Sequence, residues 1–193
     1  MGVRQRFLLV GFCLPLLSLD GPVWSEEPIA KRLKGFAAPE EQPVTATLIA
    51  EHVSVQLGGK TRVGVHFDIE EGWHLYAKNP GDAGLPTRIA WSALSGVSFG
   101  PLQWPPPQKF LDPGEIRTFG YSGTVMLSSP LVLAATAKLK DRIPIHADVQ
   151  WVACKELCVP GSAVLELTLP VSPDQPVLST HAELFEQGDS ADH

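Results

Sequence analysis

The chain has 193 residues, 44% of them hydrophobic and 19% charged, with 18 prolines, 17 glycines and three cysteines. The formal net charge of −6 and the lack of basic runs argue against nucleic acid or anionic lipid as a partner. The length suits one domain with a real core.

Arg4 and Arg6 precede an apolar run from Phe7 to Leu19, and Val23-Trp24-Ser25 follows a break at Asp20-Gly21-Pro22. This order describes a cleaved secretory signal peptide over residues 1–25, with Cys13 inside it. The run is short for a bilayer span, and no later segment is long and apolar enough to cross a membrane. The expected product is therefore exported and soluble after cleavage, in an oxidising space where Cys154 and Cys158 can pair.

Residues 26–43 mix Pro, Ala, Glu and Lys without a period and are expected to form an exposed lead-in. Strand patterns follow. Thr45 to Ala50 and His52 to Leu57 end at the Gly58-Gly59 turn, and Val63, Val65, Phe67 and Ile69 alternate with polar or small residues. After the Glu70-Glu71-Gly72 turn comes Trp73-His74-Leu75-Tyr76, then a loop by composition at residues 79–84. Thr87 to Trp91 resumes strand character. Gly100 to Gly123 reads as a long irregular stretch, since Trp104-Pro105-Pro106-Pro107 and Asp112-Pro113-Gly114 remove backbone donors. Thr124 to Leu127, Leu131 to Leu139, Pro144 to Ala153 and Ala163 to Leu169 complete the strands. A polar tail occupies residues 171–193, with a short helical turn at Ser179 to Gln187.

No segment sustains a helical period, and strands recur with turn signals between them. The fold class is all-β, a single immunoglobulin-like antiparallel β-sandwich over residues 44–170. The cysteine–tryptophan–cysteine framework of antibody domains is absent, so the likeness is one of architecture.

Alternation decides where Cys154 points. Ile143, Ile145, Ala147, Val149, Trp151 and Ala153 form the apolar, inward set, so Cys154 belongs to the outer face at the strand tip. A turn at Lys155-Glu156-Leu157 can set Cys158 opposite Cys154, where directly paired Cα atoms lie ~4.5–5.5 Å apart, within disulfide reach. Closing a loop of about five residues contributes only ~2 kcal/mol in the chain-entropy model, against ~3 for fifteen. A structural staple is thus a weak use of the pair, and short exposed disulfides tend to be reducible. Staple and redox centre both stay open at this point. So does Cu(I), which two thiolates can hold. The spacing resembles the binuclear copper loop of cytochrome oxidase subunit II, but Ser162 and Leu165 stand where that loop needs His and Met. The Sco-type pattern also fails, because Val159 precedes Pro160 and no thioredoxin-like βαβ context exists. An adhesive or assembly sandwich with a passive disulfide is the structural rival.

Several separated motifs tip the balance. Trp73-His74-Leu75-Tyr76-Ala77-Lys78, the run from Asn79 to Ile89, Gln103-Trp104-Pro105, Gly120-Tyr121-Ser122-Gly123 and the Cys154–Cys158 turn occur in that order. Together with the sandwich pattern they resemble the periplasmic N-terminal domain of the DsbD thiol:disulfide interchange family, over roughly Val44 to Pro170. The resemblance implies a thiol:disulfide oxidoreductase without cofactor or metal. It would take electrons from a separate membrane-linked donor and pass them to thioredoxin-fold periplasmic proteins. By the same resemblance Cys158 carries the mixed disulfide and Cys154 resolves it. A loop bearing an aromatic shields the pair, for which Phe110 is the first candidate and Trp104 the second. His74 and Tyr76 fall where the family places polar-aromatic residues near the cysteines; on local pattern alone His74 is expected to be an exposed strand histidine. Lys155 favours a thiolate and Glu156 opposes it. The family usually fuses this domain to a multi-helix membrane segment and a thioredoxin-like domain, so a free-standing form is expected here, with a shorter cysteine spacing.

Overall fold

A computed structural model describes residues 42–186 apart from 113, 139 and 140. The expected signal peptide, most of the lead-in and the last residues of the tail lie outside the described residues. Among the described residues ten strands follow one another: β1 (Val44–Ala50), β2 (Lys60–Ile69), β3 (His74–Gly81), β4 (Arg88–Ala93), β5 (Val97–Phe99), β6 (Gln108–Asp112), β7 (Ile116–Tyr121), β8 (Thr124–Leu133), β9 (Arg142–Cys154) and β10 (Cys158–Pro170). One sheet has the order β1-β2-β8-β5; the other runs β10-β9-β3-β7-β6, with β4 also pairing β9. All strand pairs are antiparallel. The fold is the all-β sandwich expected.

Period-two burial builds the core. On β2, Val63, Val65 and Phe67 are fully buried, and on β9 Ile143, Ile145, Ala147 and Val149 are too. Phe67 meets Trp151 edge-on across the two sheets, with centroids 5.7 Å apart and planes at 79°. Ala153 ends the inward row of β9, while Cys154, His74 and Tyr76 are buried yet lie outside the main core cluster. These three belong to the opposite face of the second sheet. That face carries the site.

The strand expectations fail in several places; β8 ends at Leu133, short of Leu139, and β10 starts at Cys158, ahead of Ala163, with Pro160 paired to Val152. Residues 52–57 make only isolated bridges, His52 to Leu178 and Val55 to Val171, because their backbone bonds go to the C-terminal segment. β3 runs on through Pro80 to Gly81, with a register shift against β7 between Tyr76 and Gly81 that absorbs the loop-like residues. β8 is continuous through Pro130, and the short β5 joins its edge. The stretch from Gly100 to Gly123 is not irregular throughout. Its proline run sits at 105–107, leaving Gln108–Asp112 free to pair with β7 as an edge strand. The turn takes left-handed backbone at Gly114 and Glu115, with φ of 86° and 62°.

The C-terminal segment does not trail away within the described residues. A short helix, α1 (Ala182–Glu186), buries Phe185 against Ile49 and Met126. Arg62 fastens it, donating to the Phe185 carbonyl at 3.0 Å and to Glu51 at 2.6 Å.

Candidate functional site

The β9–β10 hairpin brings the two cysteines together. Thirteen consecutive pairs run from Pro170↔Arg142 to Cys158↔Cys154, so the cysteines face each other at the open end of an unbroken ladder. Their Cα atoms are 4.1 Å apart and the side chains are joined as a disulfide. Lys155 N–H donates to the Leu157 carbonyl at 3.2 Å and closes the turn. The two sulfurs differ in environment. Cys154 is 3% exposed, whereas Cys158 is exposed beside Leu157, itself 79% exposed.

β3 supplies the floor next to Cys154. His74 pairs directly with Cys154 across the ladder, and Tyr76 stands two residues further on the same face. The Tyr76 hydroxyl donates to Cys154 Sγ at 3.1 Å and lies 3.9 Å from Cys158 Sγ. Burial, with the Asp112 carboxylate adding to it, pushes the Tyr76 phenol above its ordinary range, so it remains a donor at neutral pH.

β6 closes over this floor. Phe110 stacks on His74 with centroids 4.5 Å apart and planes at 15°, and Tyr76 meets His74 edge-on at 5.2 Å. Asp112, on the same face of β6, accepts a hydrogen bond from Thr118 Oγ1 at 2.8 Å and leaves its other oxygen 3.8 Å from His74 Nε2. That distance is too long for a hydrogen bond. His74 is thus buried, 4% exposed, and not the exposed strand histidine expected; the Phe110 ring covers it. Burial lowers its pKa below the usual histidine value, with partial opposition from Asp112.

The other named residues are placed as follows. Trp104 packs against the main core cluster. Its neighbour Pro105 accepts a hydrogen bond from the Tyr121 hydroxyl at 2.8 Å, which ties the proline run to β7. Lys155 and Glu156 are exposed on the turn, and Lys155 lies over Gly72, where an added Cβ would come 2.9 Å from Lys155 Cε. Its ammonium therefore leans toward the β2–β3 turn.

Two contributors escaped the sequence reading. Asp112 was hidden by treating its stretch as irregular, although its place two residues after Phe110 would put both on one strand face. Gly84 is the other. It adopts φ of 102°, and a Cβ there would lie 2.5 Å from the Tyr76 ring. The loop after β3 thus lies flat on the ring whose hydroxyl reaches Cys154. Gly84→Ala is expected to cost about 1–3 kcal/mol through backbone strain and collision with Tyr76. Urea unfolding would measure it, and an unchanged midpoint would show that the loop does not back the ring.

The family model for the N-terminal part of the thiol:disulfide interchange protein DsbD matches residues 41–170. The chain belongs to this family. The Cys154–Cys158 disulfide lies within the matched residues. Among solved structures, the N-terminal periplasmic domain of ScsB from Proteus mirabilis is similar in fold, with TM-score 0.56 and 18% identity. The match covers 79% of this chain and 57% of that one, so this DsbD-type domain spans little more than half the ScsB chain. The reduced DsbD N-terminal domain of Neisseria meningitidis matches over 76% of this chain and 98% of its own, at TM-score 0.32 and 13% identity. No curated protein matches.

Proposed function

We propose that this domain is an exported electron relay, passing reducing equivalents from a membrane-linked donor to thioredoxin-fold oxidoreductases of the periplasm. The observation that carries the proposal is the asymmetry of the disulfide: Cys158 is exposed at the hairpin tip, and Cys154 is buried under a hydroxyl donor. A donor thiolate attacks Cys158 Sγ, the sulfur–sulfur bond breaks, and Cys154 leaves as a thiolate that the Tyr76 hydroxyl can hydrogen-bond. The donor's second thiol then attacks its own sulfur in the mixed disulfide and releases Cys158. Two electrons have entered, the donor has become a disulfide, and the two protons its thiols release reach Cys154 and Cys158 through solvent. In the forward step the Cys158 thiolate attacks an acceptor disulfide, and Cys154 resolves the adduct by attacking Cys158 Sγ.

The exposed Leu157 beside Cys158 provides an apolar contact for a docking thioredoxin-fold surface. Phe110 serves as the aromatic cap, with Trp104 bracing the loop that leads to it; no cofactor or metal takes part. Residues 1–25 act as the signal that delivers the domain, and residues 44–170 form the relay unit.

The test uses Cys154→Ser, which removes the resolving thiol and leaves Cys158 free. Incubated with periplasmic thioredoxin-fold proteins, it is expected to accumulate mixed disulfides that dissolve on reduction. The proposal is overturned if no adduct forms and the wild-type disulfide resists reduced thioredoxin.

A further inference from the structure

The buried imidazole of His74 has no role in the electron path. Among the described residues, its Nε2 is the buried side-chain nitrogen or oxygen left without a hydrogen-bond partner. Such an orphan costs free energy in any fold, so its position calls for a reason. β6 contributes Phe110, stacked on the ring, and Asp112 at 3.8 Å. β3 contributes Tyr76, edge-on at 5.2 Å, and β9 contributes Cys154 directly opposite, locked in the disulfide. β7 places Thr118 beside β6, where it holds Asp112 and brings no charge of its own. The exposed Lys155 lies over Gly72.

We propose that His74 is the positioning residue of a proton-sensitive latch: neutral, it holds Phe110 and the β6 cap closed beside Cys154; protonated, it releases them. This rests on disulfide exchange at Cys154–Cys158 for its functional meaning. The neutral ring suits the closed form, since it stacks on Phe110 and needs little solvation. A proton adds a charge to a ring largely shut off from water, whose Nε2 is buried with no acceptor within hydrogen-bond range. Asp112 returns part of the cost, but it is already engaged by Thr118 and stands off at 3.8 Å.

The sign follows by linkage. In the closed form burial depresses the His74 pKa, whereas a solvated His74 in an opened form titrates near about 6.5. The open form therefore binds protons more readily, and acid shifts the population toward it. The effect is absent well above about pH 6.5 and grows as pH falls from there toward the depressed value. Opening admits water to the sulfur of Cys154, which leaves as a thiolate when Cys158 is attacked, so acid conditions speed reduction relative to a latch that cannot titrate.

The experiment compares the rate at which a water-soluble trialkylphosphine reduces the disulfide in wild type and in His74→Phe, which keeps a stacking ring without a titrating group. Taking the ratio at each pH removes the reagent's own pH dependence. The ratio of wild type to variant is expected to rise by at least about threefold between about pH 7.5 and about pH 5. Asp112→Asn, which deepens the penalty on the charged ring, is expected to enlarge that rise. A ratio that stays flat or falls overturns the latch. If His74→Phe does not fold, His74→Tyr takes its place. A second readout stands apart from exchange: in the oxidised protein, the His74 ring protons titrate by NMR while the backbone amides of Gln108–Asp112 lose hydrogen-exchange protection in step. Trapped partners with a flat ratio and no such loss defeat the latch and leave the relay intact. The acid response without any trapped partner defeats the relay and leaves the latch.

Discussion

Cys158→Ser is expected to abolish thiol–disulfide exchange, because it removes the exposed sulfur and leaves only Cys154, 3% exposed, under the Tyr76 hydroxyl. Exchange requires a thiolate to reach the sulfur it attacks. Cys154→Ser serves as the matched control, since it keeps a thiol at the tip. Both variants break the same cross-link, which spans about five residues and contributes at most ~2 kcal/mol. The ladder below the cysteines, from Val159↔Ala153 to Pro170↔Arg142, stands without it. Equal unfolding midpoints with opposite adduct formation are therefore expected. An active Cys158→Ser protein would show that Cys154 leads the exchange instead.

Phe67→Ala is expected to cost about 3–5 kcal/mol. Phe67 is fully buried on β2 and meets Trp151 on β9, so its loss opens a cavity between the two sheets. The whole stability of a domain is about 5–15 kcal/mol, so this one truncation removes a large share. It should lower the urea midpoint with little change in slope. A cost below about 1 kcal/mol would mean that the sheets close up around the missing ring.

The parts of the fold legible in the sequence were those where one physical signal acts alone. On β9 every inward residue from Ile143 to Ala153 is buried, as strict alternation requires. The same alternation gives the side of the sheet on which Cys154 lies, but it cannot say whether that side is covered. Cover over His74 comes from β6, two strands from β3 in the sheet order, and proline-rich flanks disguised it as loop. His74 was misjudged for the same reason: strand pattern tells which face a residue takes, and burial depends on what crosses that face. Gly84 was legible only as a turn residue, since its contact with Tyr76 arises from the course of the loop. Val55, fully buried in a segment of isolated bridges, shows that core membership does not require a regular strand.

The thirteen-pair register of the β9–β10 hairpin has a kinetic consequence. After reduction the ladder still holds the two thiols at the same strand ends, so each meets the other at a high effective concentration. On the proposed relay, a partner bound covalently to Cys158 would then be displaced from within the domain faster than a second molecule could arrive. Encounters through this tip are then expected to be brief, with a lasting adduct only when Cys154 is removed.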